Sequence, residues 1–189
     1  YDREIHTPGN VVLRASKIIS PAFPDIPISV EVCAGEIVGI AGLVGAGRTE
    51  LLQTIFGVTP ALAGDIELDG KSFRPLCTSD AISAGIALAP EDRKQHGLVL
   101  PMTVRENSSL PSLDRDQKKG FLDPEKETQI ADRTVEQMSI KTPSIEQIAR
   151  FLSGGNQQKI VLGKWLAMNP KLLMLDEPTR GIDIGAKRE

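Results

Sequence analysis

The run Gly42-Leu43-Val44-Gly45-Ala46-Gly47-Arg48-Thr49 holds the residue types needed to enclose a phosphate group. Glycines let successive backbone N–H groups turn inward around phosphate oxygens, and a helix starting at the end of the run would aim its positive end at the same anion. The spacing is that of GxxxxGK[ST], with Arg48 in place of the usual lysine. Arginine keeps the charge but spreads it over a planar fork, so phosphate contact survives while reach between the β and γ oxygens is lost. The Thr49 hydroxyl suits Mg2+. Gly42, Gly45, Ala46, Gly47, Arg48, Thr49 and Glu50 are thus the expected nucleotide-binding positions. Taken alone, the same run also describes a glycine-rich turn that binds nothing.

A second chemical feature is Leu172-Leu173-Met174-Leu175-Asp176-Glu177-Pro178, two acids at the end of an apolar run. In open α/β sheets ligands gather at such strand ends. Beside a phosphate loop the roles would separate. Asp176 would hold Mg2+ through water, and Glu177 would orient or deprotonate an attacking water as the catalytic residue. A third is Leu152-Ser153-Gly154-Gly155-Asn156-Gln157-Gln158, where Ser153 is placed to cap a helix and Gly154 and Gly155 to open one, again an anion-binding arrangement.

These features need a scaffold. Val11, Leu13 and Ala15, then Ile26, Ile28, Val30 and Val32, alternate with other residues, the period of half-buried strands in an antiparallel edge sheet. Ile37–Ala41 is a continuous apolar run, predicting a strand covered on both faces directly before the phosphate loop. Ile86–Ala89 and Leu172–Leu175 repeat that pattern. Helical stretches at about 49–56 and 155–168 lie among them, so a mostly parallel α/β sheet is expected. In the second of these, Val161, Leu162, Trp165 and Leu166 can share a face. From Val104 to about Ile148 the chain turns charged and amphipathic. Pro124 and Glu125 suit a helix start there, with Ile130, Val135 and Met138 pointing inward, the pattern of an inserted helical lobe. Residues 1–10 are polar with Pro and Gly and read as a linker.

Composition sets limits without naming a function. The chain has 189 residues, 40% of them hydrophobic, enough for one sizeable core or two small lobes. A net charge of −3 with scattered Lys and Arg argues against a polyanion-binding surface. Cys33 and Cys77 form neither a CxxC pair nor a metal cluster and read as reduced thiols. The apolar runs fall short of the roughly 20 residues that span a bilayer, so work at a membrane would go through a partner. His96 reads as a solvated loop residue and is assigned no role.

In order and spacing, the three features resemble the ATP-binding cassette family, whose members are P-loop NTPases with a RecA-like, mostly parallel sheet, an N-terminal antiparallel β subdomain and an inserted α-helical subdomain. Within it, GLVGAGRTEL, Pro90-Glu91-Asp92-Arg93 and DEPTRGIDIGAK resemble the second cassette of ribose, galactose, arabinose and xylose importer ATPases, in which two cassettes share one polypeptide. The resemblance runs from about Val11 to Glu189, with the helical subdomain at about 102–158. It implies ATP and Mg2+ as cofactors and two cassettes closing head to tail, each ATP lying between one phosphate loop and the other cassette's signature. Ser153, Gly154 and Gly155 would then press donors onto the γ-phosphate held by the partner, and Asp183 would communicate across the dimer. Implied partners are the N-terminal cassette of the same polypeptide, integral-membrane permease subunits and, indirectly, a sugar-binding protein, with the ATPase peripheral on the cytoplasmic face of the membrane.

Three departures qualify that resemblance. Arg48 replaces lysine, and Glu91 stands where the family has a glutamine that ligates Mg2+. The strand carrying the family's switch histidine would follow the acids, so the resemblance implies a cassette truncated at its C-terminus. ATP hydrolysis coupled to transport is expected of the whole, with this half's own site weakened. An adenine-stacking aromatic is expected upstream of the loop, where Phe23 is the sole aromatic between Val11 and Gly42; it serves equally to pack under the edge sheet. One rival is a binding-only regulatory half, and the other is a soluble cassette ATPase acting on nucleic acid or ribosomes. Such proteins usually carry long coiled-coil or basic insertions, and none is evident here, so nucleic acid is not an expected partner.

Overall fold

The computed structural model describes residues 7–180, which form two compact units dividing at Ala87/Leu88. In the first unit, β1 (Val11–Ile19) pairs antiparallel with β2 (Ile28–Cys33) and with β3 (Ala63–Leu68), and β4 (Lys71–Ser72) extends the sheet in the order β2-β1-β3-β4. The alternation in the sequence is what the sheet uses: Leu13, Ala15, Ile66 and Leu68 are buried, while Arg14 lies across the opposite face between Glu31 (2.8 Å) and Glu67 (3.4 Å). Two helices complete the unit, α1 (Arg48–Ile55) and α2 (Thr78–Ala84). Leu51, Thr54 and Ile55 bury the inner side of α1.

The run Ile37–Ala41 departs from the sequence expectation. It forms no strand, and Ile37 is 98% and Val38 38% exposed. A strand exists only where its N–H and C=O groups meet a neighbour, and this run finds no partner strand among the described residues.

The division between the units falls within β5 (Ile86–Ala89), which hydrogen-bonds to β6 (Leu172–Leu175). The second unit also holds α3 (Val104–Ser109), α4 (Leu113–Asp116), α5 (Pro124–Gln137) and α6 (Gly154–Leu166). Each main helix has its own start signal. Thr103 and Glu106 form a reciprocal cap on α3, Asp123 accepts from Lys126 N–H ahead of Pro124 in α5, and Ser153 caps α6.

The helix faces differ from the expected ones by about one position. In α5 the buried set is Glu127, Ile130, Ala131 and Thr134, with Val135 and Met138 only half-buried. Thr134 turns inward because Gly163 of α6 faces it: a Cβ at Gly163 would lie 2.4 Å from the Thr134 methyl, so the missing side chain is what lets the helices approach. In α6 the buried apolar residues are Ile160, Val161 and Trp165, whereas Leu166 is exposed. No helix among the described residues is long and apolar enough to cross a membrane.

Candidate functional site

The first candidate residues lie at the start of α1. Gly45 and Gly47 take φ values of 80° and 83°, the left-handed region open to glycine, and Ala46 N–H closes a turn onto the Leu43 carbonyl at 3.1 Å. Gly47 is the N-cap of α1 and supplies no side-chain cap, so the amides of the first helical turn, from Arg48 through Glu50, point out of the helix without intrahelical acceptors. Leu43 and Val44 are exposed, and the Arg48 side chain folds back over Gly42, where a Cβ would lie 3.6 Å from its Cδ. The free amides of the helix start and the stem of the Arg48 side chain thus lie at one turn, and the next residue, Thr49, is half-buried.

Phe23 is part of the same feature. Its loop is pinned by Phe23 N–H to Ser20 O (3.1 Å) and Ile26 N–H to Phe23 O (3.3 Å), and its ring rests on Gly47, where a Cβ would come 3.1 Å from Cδ2. The aromatic thus backs the phosphate loop.

In the second unit Asp176 follows β6, its N–H donating to the Ala89 carbonyl of β5 at 3.0 Å. Asp176 is 6% exposed, and no hydrogen bond or ion pair reaches its carboxylate among the described residues. A buried carboxylate in that state is suited to a cation or to the water around one. No cluster of three or more His, Cys, Asp or Glu that would cage a metal occurs among the described residues. Glu177 is exposed and carries φ 43°, a left-handed backbone unusual for a side-chain-bearing residue, and Arg180 N–H closes the following turn onto Glu177 O at 2.9 Å.

That turn is tied to the stretch Pro90-Glu91-Asp92-Arg93. The Arg180 guanidinium pairs with the Glu91 carboxylate, and Arg93 donates to the Arg180 carbonyl at 3.1 Å. Asp92 accepts from Lys94 and Gln95 N–H (2.9 and 3.1 Å), capping a short π-helical turn at Arg93–Gly97. Glu91 is therefore occupied by an arginine nearly 90 positions away, which no local spacing links to it. His96 is exposed in the same turn.

The Ser153 segment is positioned by a ribbon of backbone bonds: Ala149 N–H to Met102 O (2.9 Å), Arg150 N–H to Leu100 O (3.1 Å) and Val104 N–H to Gln147 O (2.9 Å). Gln157, buried, donates to Ala149 O at 3.1 Å and anchors the entry to α6. Asn107, wholly buried, fixes the other side of the ribbon by accepting from Val99 N–H (2.8 Å) and donating to Thr103 O (2.9 Å) and Val99 O (3.1 Å). Further along α6, Lys164 donates to Gly97 O at 2.5 Å, and burial pushes its pKa down to about 8. Asn107, Lys164 and Arg180 carried no signal in the sequence beyond being polar. Asp183 lies outside the described residues.

The sequence profile of the ABC transporter family matches residues 26–180. The chain belongs to that family. Among curated relatives, ribose import ATP-binding protein RbsA of Bacillus licheniformis is 47% identical over 190 residues, covering 100% of this chain and 38% of that protein. RbsA of Rhodopirellula baltica is 54% identical over 186 residues, covering 94% and 36%. The ABC chain thus spans under two fifths of the curated relatives it matches. Among solved structures, an ATP-binding cassette captured as a dimer after hydrolysis with ADP and Pi aligns with TM-score 0.76 at 19% identity, covering 93% of this chain and 78% of that one. A nucleotide-free cassette from an ABC transporter aligns with TM-score 0.75 at 22% identity, covering 94% and 73%. The fold is that of an ABC cassette.

Proposed function

We propose that this chain is the ATP-binding part of a bacterial monosaccharide importer, specifically its second and degenerate cassette, which supplies a signature to the ATP site of its partner cassette. The observation that carries the reading is that one chain holds the glycine turn opening α1 in its first unit and, in its second, the Ser153-capped start of α6 and the buried carboxylate of Asp176. Relatives named for ribose import support the sugar assignment. Because those proteins are more than twice as long as the stretch matched here, there is room in them for another cassette. The dimeric relative holding ADP and Pi supports a paired arrangement. Residues 11–189 would form one cassette with its helical subdomain at about 102–158, after a linker at 1–10.

In this reading Gly42 to Glu50 bind the phosphates through backbone donors, and Arg48 lends charge without bridging them. By the family resemblance, Thr49 and Asp176 are the residues that would hold Mg2+, which would supply charge to neutralise that on the phosphoryl group. Glu91 is a weaker candidate for that shell, given its arginine partner. Glu177 orients the water of this cassette's own site. Ser153, Gly154 and Gly155 present hydroxyl and amide donors to the γ-phosphate held by the partner cassette, where donors fixed in advance stabilise the transition state. Permease subunits receive the resulting closure, a sugar-binding protein acts through them, and the ATPase sits peripherally at the cytoplasmic face of the membrane. The binding half of this reading is tested by titrating the full-length protein with a fluorescent ATP analogue and Mg2+. Thr49→Ala is expected to weaken binding in Mg2+ far more than in EDTA, and an equal effect in both would remove Thr49 from the metal shell.

A further inference from the structure

Ser153 Oγ accepts two hydrogen bonds, both from Asn156: one from its backbone N–H at 3.4 Å and one from its side-chain Nδ2 at 3.0 Å. A hydroxyl has two acceptor positions and one proton. With both acceptor positions taken, the proton must be donated elsewhere, and none of the described residues accepts it. The orientation of the Asn156 amide is itself settled by geometry. Lys141 N–H donates to Asn156 Oδ1 at 2.9 Å, which only the oxygen can accept, so the NH2 group is the end that faces Ser153.

Lys141 is held in turn. It follows Ile140, which is buried and whose N–H bonds to Val135 O of α5 at 2.9 Å, and Lys159 of α6 donates to Ser139 O at 3.2 Å. A continuous chain of bonds therefore leads from the C-terminal turn of α5 to the hydroxyl at the head of α6.

We propose that Asn156 is a positioning residue that fixes the Ser153 hydroxyl as a donor, aimed at a phosphate oxygen, and that the α5 turn sets this polarity through Lys141. The proposal rests on the reading of Ser153 as a γ-phosphate contact. An O–H donating to an anionic oxygen is a short, strong bond, and holding it ready removes the cost of reorienting it during the reaction. An ordinary cap would satisfy only the helix amide and leave the hydroxyl rotor free.

The test uses the full-length protein assembled with its permease, measuring kcat and KM for ATP. Asn156→Asp keeps the acceptor for Lys141 N–H but replaces the donor with a carboxylate, which draws the Ser153 proton to itself. It is expected to lower kcat on the order of 100-fold, as for loss of one oriented donor, with KM for ATP changed less than about 3-fold. Asn156→Ala leaves the hydroxyl free to turn and is expected to lower kcat roughly 10-fold. In a Ser153→Ala background neither Asn156 variant is expected to lower kcat further, because the oriented group is gone. Equal losses with and without the Ser153 hydroxyl, or unchanged kcat in both Asn156 variants while Ser153→Ala is impaired, would overturn the positioning role alone. Unchanged kcat in Ser153→Ala itself would overturn the reading of the signature and this proposal together.

Discussion

The amine of Lys164 lies 2.5 Å from the carbonyl oxygen of Gly97, joining the last turn of α6 to the end of the π-helical turn that begins after Glu91 and Asp92. Gly97 is packed against α6 so closely that a Cβ would fall 2.9 Å from a methyl of Val161. Lys164 is 6% exposed, with its amine 5.5 Å from the centre of the Trp165 ring.

Burial lowers the Lys164 pKa from 10.5 to about 8 by disfavouring the charged form. Between those values the unfolded chain binds a proton that the folded chain has released, so stability rises with pH across that window. Below about pH 8 the full penalty is present, on the order of 3 kcal/mol, and above about 10.5 it is gone. With lysines labelled at Cε, one resonance is expected to titrate near pH 8 and to be missing from Lys164→Met. Titration of every lysine near 10.5 would show that Lys164 is solvated.

At the phosphate loop, Gly47→Ala places a Cβ on a backbone with φ 83° and 3.1 Å from the Phe23 ring. The left-handed conformation alone costs an L-residue about 1–2 kcal/mol, so ATP affinity of the full-length protein is expected to fall roughly 10-fold. Adding Phe23→Ala should recover only the steric part of that loss. Unchanged affinity by titration would show that the loop tolerates another backbone shape.

Asn107 makes its bonds to Val99, Thr103 and, at 3.4 Å, the Met102 carbonyl from a wholly buried position. Asn107→Leu keeps the branched outline with a somewhat larger volume and strands these groups, at about 1–3 kcal/mol for each one left unsatisfied. Hydrogen exchange at the Val99 amide is expected to accelerate at least tenfold, well above any change at the α5 amides. A uniform change across the unit would assign the effect to global stability instead.

How far the sequence carried depended on whether the determining contact was local. The glycine turn that opens α1, the Ser153 cap and the Asp123-Pro124 helix start are written in neighbouring residues, and each was legible. Ile37–Ala41 has the apolar pattern of a strand and forms none, because the pattern says nothing about whether a partner strand is present, and pairing is what makes a strand. The inward face of α5 fell on Ala131 and Thr134 because Gly163, about 30 residues later, removes the side chain that would have held the helices apart. The Arg180 ties to Glu91 and Arg93 join residues nearly 90 positions apart, and no local spacing signals them.

The division of labour between the cassettes is tested most directly by steady-state ATP turnover of the full-length protein with its permease, comparing Ser153→Ala with Glu177→Gln. If α6 donates to the partner's site, Ser153→Ala lowers turnover on the order of 100-fold or more, and Glu177→Gln lowers it less than about 10-fold. A large loss in Glu177→Gln with near-normal turnover in Ser153→Ala would contradict this, and would mean that the cassette hydrolyses ATP at its own phosphate loop.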